Sequence, residues 1–106
     1  MAKIVIDGID MEFSANAATP IRYKQIFGRD LLKEAQDTEN ADYYEMITQL
    51  AYVLNRQGNK IGFKDTTFGD YVEWLEKFSP MAFIDVADDI IGVWTNSEKT
   101  NSKPKK

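Results

Sequence analysis

Residues 13–32 read Phe13-Ser-Ala-Asn-Ala-Ala-Thr-Pro-Ile-Arg-Tyr-Lys-Gln-Ile-Phe-Gly-Arg-Asp-Leu-Leu32. This run separates a strand region from a helical remainder. Ser14 to Ala18 is a connector of small residues. Thr19 is predicted as a helix N-cap with Pro20 at the first helical position, where a missing N–H costs nothing. The helix is expected to run to about Phe27, with Tyr23, Ile26 and Phe27 on one face. Gly28 ends or kinks it, and Asp30 restarts a helical turn that carries Leu31 and Leu32.

Upstream, Lys3-Ile4-Val5-Ile6 and Asp10-Met11-Glu12-Phe13 flank Asp7-Gly8. Asp-Gly between two such runs is a hairpin signal, because both turn positions need positive φ. Ile9, Met11 and Phe13 alternate with Asp10 and Glu12, so the second strand has one apolar face. A lone hairpin is marginal in water and must pack on helices or pair with another chain.

Downstream, Gln36 to Asn40 reads as a polar loop. Residues 41–57 carry Tyr43, Met46, Ile47, Leu50, Ala51 and Leu54 at helical spacing, and Gly58-Asn59 reads as the stop. In the connector 60–65, Ile61 and Phe63 are expected to anchor in the core. A helix over 66–78 has the stripe Phe68, Tyr71, Val72, Leu75 and Phe78. Ser79-Pro80 repeats the cap-then-proline pattern and opens a last helix to about Trp94. That helix is apolar over most of its circumference, so it is either central or docked on a second surface. From Thr95 onward no apolar residue remains. The expected fold is mainly α with a short N-terminal β-hairpin (α+β). Four to five helices pack around one core in a single domain over 1–94, with the hairpin at 3–13 and a disordered polar tail over 95–106.

Composition removes several functions. Among 106 residues there is no cysteine and no histidine. Disulfides, thiolate metal sites and the commonest general base are therefore excluded. No apolar run approaches the roughly 20 residues of a membrane helix, and the chain reads as cytosolic, with no membrane partner. Charge is arranged in blocks of alternating sign. Residues 20–33 are basic, 34–48 acidic, 49–64 basic, 65–94 acidic and 95–106 basic, for a net −4. Such a chain can complement itself, whereas nucleic-acid binding needs a dominant basic field.

Few residues suggest a site. Asp85, Asp88 and Asp89 share one face of an uninterrupted helix, but no calcium-loop spacing accompanies them, and a solvated strip is the simpler account. No catalytic, cofactor-binding or metal-binding residue is assigned. Arg22, Arg29 and Lys33, spaced seven and four apart, form a candidate basic ridge for a protein partner. Trp74 and Trp94, with Ile90 and Ile91 on the over-apolar last helix, are the candidate apolar contacts, since aromatic residues concentrate at interfaces.

The segment Ala17-Ala-Thr-Pro-Ile-Arg-Tyr-Lys-Gln-Ile-Phe-Gly-Arg-Asp-Leu-Leu32 resembles the signature of tail assembly chaperones from long-tailed phages and prophages of Gram-positive bacteria. A second, aromatic-rich stretch of that family has its counterpart in Phe68-Gly-Asp-Tyr-Val-Glu-Trp-Leu-Glu-Lys-Phe78. The resemblance implies a protein without catalytic residues or cofactors. It implies binding to the long helical tape measure protein and help in recruiting tail tube protein subunits; separately, the opposite-signed charge blocks favour self-association into a homo-oligomer. The resemblance also implies a location in the host cytoplasm and absence from the finished virion. A structural tail completion or connector component, and a small regulatory protein-binding module, remain alternatives.

Overall fold

The computed structural model describes residues 2–36 and 42–102. The polar loop expected at 36–40 lies almost wholly outside the described residues, as do 103–106 of the tail. Two strands, β1 (Ala2–Ile6) and β2 (Ile9–Phe13), precede six helices among the described residues. These are α1 (Thr19–Phe27), α2 (Leu31–Gln36), α3 (Tyr43–Gly58), α4 (Phe68–Leu75), α5 (Ala82–Asp85) and α6 (Ala87–Ser102). The mainly helical fold with an N-terminal hairpin is the one the sequence implies, with one or two more helices than expected.

The hairpin closes at Asp7-Gly8, with φ of 53° and 79°, the paired positive values of a type I′ turn. Ile6 pairs with Ile9, Ile4 with Met11 and Ala2 with Phe13. Ile4, Ile6, Met11 and Phe13 are buried against the helices, while Ile9, beside the turn, is exposed.

α3 is the axis of the fold. Its N-cap is Asp42, whose side chain accepts from the Glu45 N–H at 3.2 Å. Met46, Ile47, Leu50, Ala51, Val53 and Leu54 are all buried. So are Thr48, Gln49, Asn55 and Gln57, because β2, α1, α4, α5 and α6 surround this helix.

Its last two turns seal the outer edge of β2. Asn55 Nδ2 donates to the Glu12 carbonyl at 2.8 Å, and Gln57 Nε2 donates to the Ser14 carbonyl at 2.7 Å. The Ser14 N–H donates to the Leu54 carbonyl at 3.0 Å. This closeness explains Gly58, which is the last helical residue and does more than end the helix. A Cβ there would lie 2.5 Å from the Glu12 carbonyl oxygen and 2.7 Å from the Phe13 nitrogen.

Four local expectations change. Ala18, not Thr19, precedes α1, and Pro20 is its second residue. Asn16 takes the turn donors, accepting the Ala18 N–H on its side chain and the Thr19 N–H on its carbonyl. The buried Thr19 hydroxyl accepts both the Asn16 N–H at 3.0 Å and Gln57 Nε2 at 2.9 Å. Ser79-Pro80 does not cap α5, which follows Met81. Ser79 instead binds the hairpin turn, donating from its N–H to Asp7 Oδ2 at 2.7 Å and from its hydroxyl to Asp7 Oδ1 at 3.1 Å. The expected last helix breaks at Val86 (φ −114°, ψ 18°) and its second part runs on to Ser102, past the boundary placed at Trp94. Phe63 packs on the core as expected, but Ile61 is exposed.

Replacing Gly58 with Ala tests the seam. Alanine gains about 0.5–1 kcal/mol of helix propensity, but steric overlap with fixed backbone costs typically 1–3 kcal/mol. The balance is a loss, read as a lower urea midpoint. Gly62→Ala, where a Cβ meets nothing within 4 Å, is the matched control and should leave the midpoint nearly unchanged.

Candidate functional site: the uncovered face of helix α4

α4 starts cleanly because Thr67 and Asp70 form a capping box. The Thr67 hydroxyl accepts the Asp70 N–H at 3.2 Å, and the Asp70 carboxylate accepts the Thr67 N–H at 2.9 Å. This fixes which residues face inward. Tyr71 is buried, and Trp74, Leu75 and Phe78 pack against the core. Phe68 and Val72 do not: they are 53% and 39% exposed. The expected stripe is real, but the surface under α4 covers only part of it.

The uncovered shoulder has a rigid backing. Phe68 meets Phe27 and Tyr71 edge-on, at centroid distances of 6.2 and 5.3 Å. Tyr71 meets Phe27 at 4.9 Å and Tyr52 at 5.7 Å. The series continues through Trp74, 5.3 Å from Tyr52 and 5.1 Å from Phe83. All but the tilted Trp74–Phe83 contact are edge-to-face, and edge-to-face contacts add to simple area burial. On the solvent side Phe68 and Val72 are bordered by the exposed Glu73 and Glu76. The site is thus an apolar strip with an acidic margin on an aromatic base.

The candidate residues read from the sequence are placed differently from one another. Arg22 stacks on the Phe63 ring at 4.5 Å and donates to Gln57 Oε1 at 3.0 Å. Arg56 lies over the same ring at 5.3 Å and donates to the Gly62 carbonyl. Together these arginines clamp the α3–α4 connector. Arg29 bridges Glu34 of α2, at 2.6 Å, and Glu45 of α3. Of the basic ridge only Lys33 is exposed. Ile90 is fully buried, Trp94 is 8% exposed and Ile91 half-buried, so α6 spends its apolar surface mainly on this chain's own core. Trp74 is half-buried, between Tyr52 and Phe83. The break at Val86 puts Asp85 on a different helix from Asp88 and Asp89. Among the described residues no group of three or more acidic side chains is placed to share a metal ion, and no helix is long and apolar enough to cross a membrane.

No protein-family model, curated protein or solved structure matches this chain.

Periodicity alone places Phe68 and Val72, the residues that define the uncovered face, on the inward stripe. The available signal was the width of the arc. Phe68, Tyr71, Val72, Trp74, Leu75 and Phe78 together span more of a helix than one packed surface can cover.

Three tyrosines around this aromatic base resist ionisation. Burial raises the Tyr23 hydroxyl well above its ordinary value, and the Glu34 carboxylate that accepts its hydrogen bond at 3.1 Å raises it further. Burial also raises Tyr52, against the opposing charge of Arg56. Tyr71 is raised by burial too, although its 2.6 Å hydrogen bond with Thr48 works the other way. For Arg29 burial opposes the charge, and Glu34 and Glu45 more than offset it, so its pKa lies above the usual arginine value.

Groups raised on folding add stability that is fully present below the unfolded value, about 10 for tyrosine. That stability is lost as pH rises through the higher folded values. An alkaline titration followed by tyrosinate absorbance should therefore show a late ionising fraction that coincides with loss of helical circular dichroism. Tyr23→Phe should shrink that fraction.

Proposed function

We propose that this protein is a non-enzymatic tail assembly chaperone, which binds the tape measure protein and helps recruit tail tube protein during phage tail morphogenesis. The supporting observation is the uncovered strip of Phe68 and Val72. An exposed apolar strip on a rigid base, next to carboxylates, suits the apolar stripe of a partner helix with basic flanks. The fixed aromatic base lowers the ordering cost of binding, since its rings are already packed before a partner arrives. Glu73 and Glu76 keep the strip soluble between encounters and set the sign of the partner. The resemblance of residues 17–32 and 68–78 to the chaperone signature supports the same reading.

In this reading the signature segment has a positioning role. Arg29 ties α2 and α3 together beside Phe27, and Phe27 supports Phe68. Chemistry at a bond is not part of the function, which consists of covering another chain's apolar surface until assembly replaces the cover.

Co-expression with the tape measure protein encoded in the same genome tests it. The tape measure protein should become soluble and co-elute with this chain. The double variant Phe68→Ser with Val72→Ser should keep its helical content and lose the complex. A tape measure protein that is no more soluble in the presence of this chain, and elutes without it, overturns the proposal. Finished particles analysed by mass spectrometry should lack the protein; its stoichiometric presence there would favour a structural component of the tail.

A further inference from the structure

The two edges of the hairpin are treated differently. With Asp7-Gly8 as a two-residue loop, Ile6 and Ile9 form the closing hydrogen-bonded pair. Ile4–Met11 and Ala2–Phe13 follow in the same class along the ladder. The backbone groups of Asp10 and Glu12 on β2 then point away from β1, as do those of Lys3 and Val5 on β1 away from β2. On the β2 side they meet α3, where Asn55 binds the Glu12 carbonyl and the seam continues through Ser14. On the β1 side no described residue outside the hairpin binds the backbone of Lys3 or Val5. The Val5 side chain is also 55% exposed.

An open edge is a template for another strand, and proteins commonly guard it with lysine. Lys3 sits on this edge, across the ladder from Glu12, and an incoming strand is favoured when it brings a further carboxylate to meet that charge. A second copy of this chain does so. When two β1 strands run antiparallel about a two-fold axis through Val5, Val5 faces Val5 and Ile4 faces Ile6. Lys3 of each copy then reaches the turn of the other, at Asp7. The Asp7 carboxylate is already held in place by both donors of Ser79. The pairing buries the two exposed valines against each other, a favourable β-branched cross-strand pair. It also satisfies the open backbone groups of Val5 in both copies.

We infer that the free edge of β1 is a self-association site, at which two copies of this chain join their hairpins into a four-stranded antiparallel sheet centred on Val5. The contact is isologous. One short strand per copy covers less than the roughly 800 Å² per partner of a standard interface, so the dimer is weak and depends on concentration. The site is separate from the α4 strip, and failure of the tape measure complex would leave this inference standing.

The absence of cysteine makes single-thiol variants clean reporters. Paired residues of this class have Cα atoms about 5.5 Å apart, within disulfide reach. Under mild oxidation Val5→Cys should form a covalent dimer as the main species. Lys3→Cys should stay monomeric, because the two Lys3 positions lie four residues apart along the ladder, roughly 14 Å. Light scattering across a concentration series should show wild-type dimer at the high end. Val5→Pro removes an outward-pointing N–H that the hairpin does not use, so it should abolish that dimer while keeping the melting temperature close to wild type. Equal cross-linking of the two thiol variants, no cross-linking of Val5→Cys, or a wild type that is monomeric at every concentration overturns the inference. If Val5→Pro fails to fold, the thiol pair still decides.

Discussion

The seam between the end of α3 and the edge of β2 holds the two halves of this fold together. A two-stranded sheet has no stability of its own, and here it gains a third neighbour that is a helix rather than a strand. Three hydrogen bonds, two donated by Asn55 and Gln57 and one accepted by Leu54, replace the missing strand. The helix can come close enough to make them only because Gly58 carries no side chain. Ile4, Ile6, Met11 and Phe13 then cover one side of α3. Without that cover the buried residues on this side of α3 would face water.

On the opposite side α3 carries the aromatic base. Thr48 and Tyr52 lie one turn apart, and Tyr71 contacts both of them. The Thr48 hydroxyl lies 2.9 Å from the Tyr44 carbonyl and shares a 2.6 Å hydrogen bond with the Tyr71 hydroxyl. The Tyr44 hydroxyl reaches the Pro80 carbonyl at 2.7 Å. The Thr48–Tyr71 hydrogen bond ties α4 to α3 within an otherwise apolar joint. With Tyr71 turned inward, Phe68 and Val72 stay outside. Buried hydrogen bonds contribute little net energy each but penalise any arrangement that leaves them unmade, and so they select this rotation over others with similar apolar burial.

The sequence disclosed what depends on near neighbours. Asp7-Gly8 specified the turn, and the spacing from Tyr43 to Leu54 specified α3. Asp30 accepts the Lys33 N–H at 3.2 Å, as a helix restart after Gly28 requires. What stayed hidden depends on residues far apart in the chain. Gly58 looks like a stop until Glu12 lies beside it. Arg22, Arg29 and Lys33 look like one ridge until Phe63, Glu34 and Glu45 occupy the arginines. No residue near Val86 breaks a helix by propensity, so the break there is a tertiary effect. It lets Phe83 and Ile90 both point into one core. Residues 95–102 lack apolar side chains, yet the backbone continues the helix that Ile90, Val93 and Trp94 anchor, since extending a helix costs far less than starting one. Periodicity gave the apolar arc of α4 but not which part of it would be covered.

The partners of the hairpin lie far along the chain. Glu12 meets Asn55 across 43 residues, and Asp7 meets Ser79 across 72. Translation at about 5–20 residues per second separates the emergence of β2 from that of its helical partner by roughly 2–9 s. During that interval the nascent ribbon has two open edges and an apolar face with nothing to rest on. On polysomes, where several such ribbons sit side by side, the first encounter of β1 with a like strand can precede the completion of either fold. Assembly of this protein and its own maturation would then overlap in time.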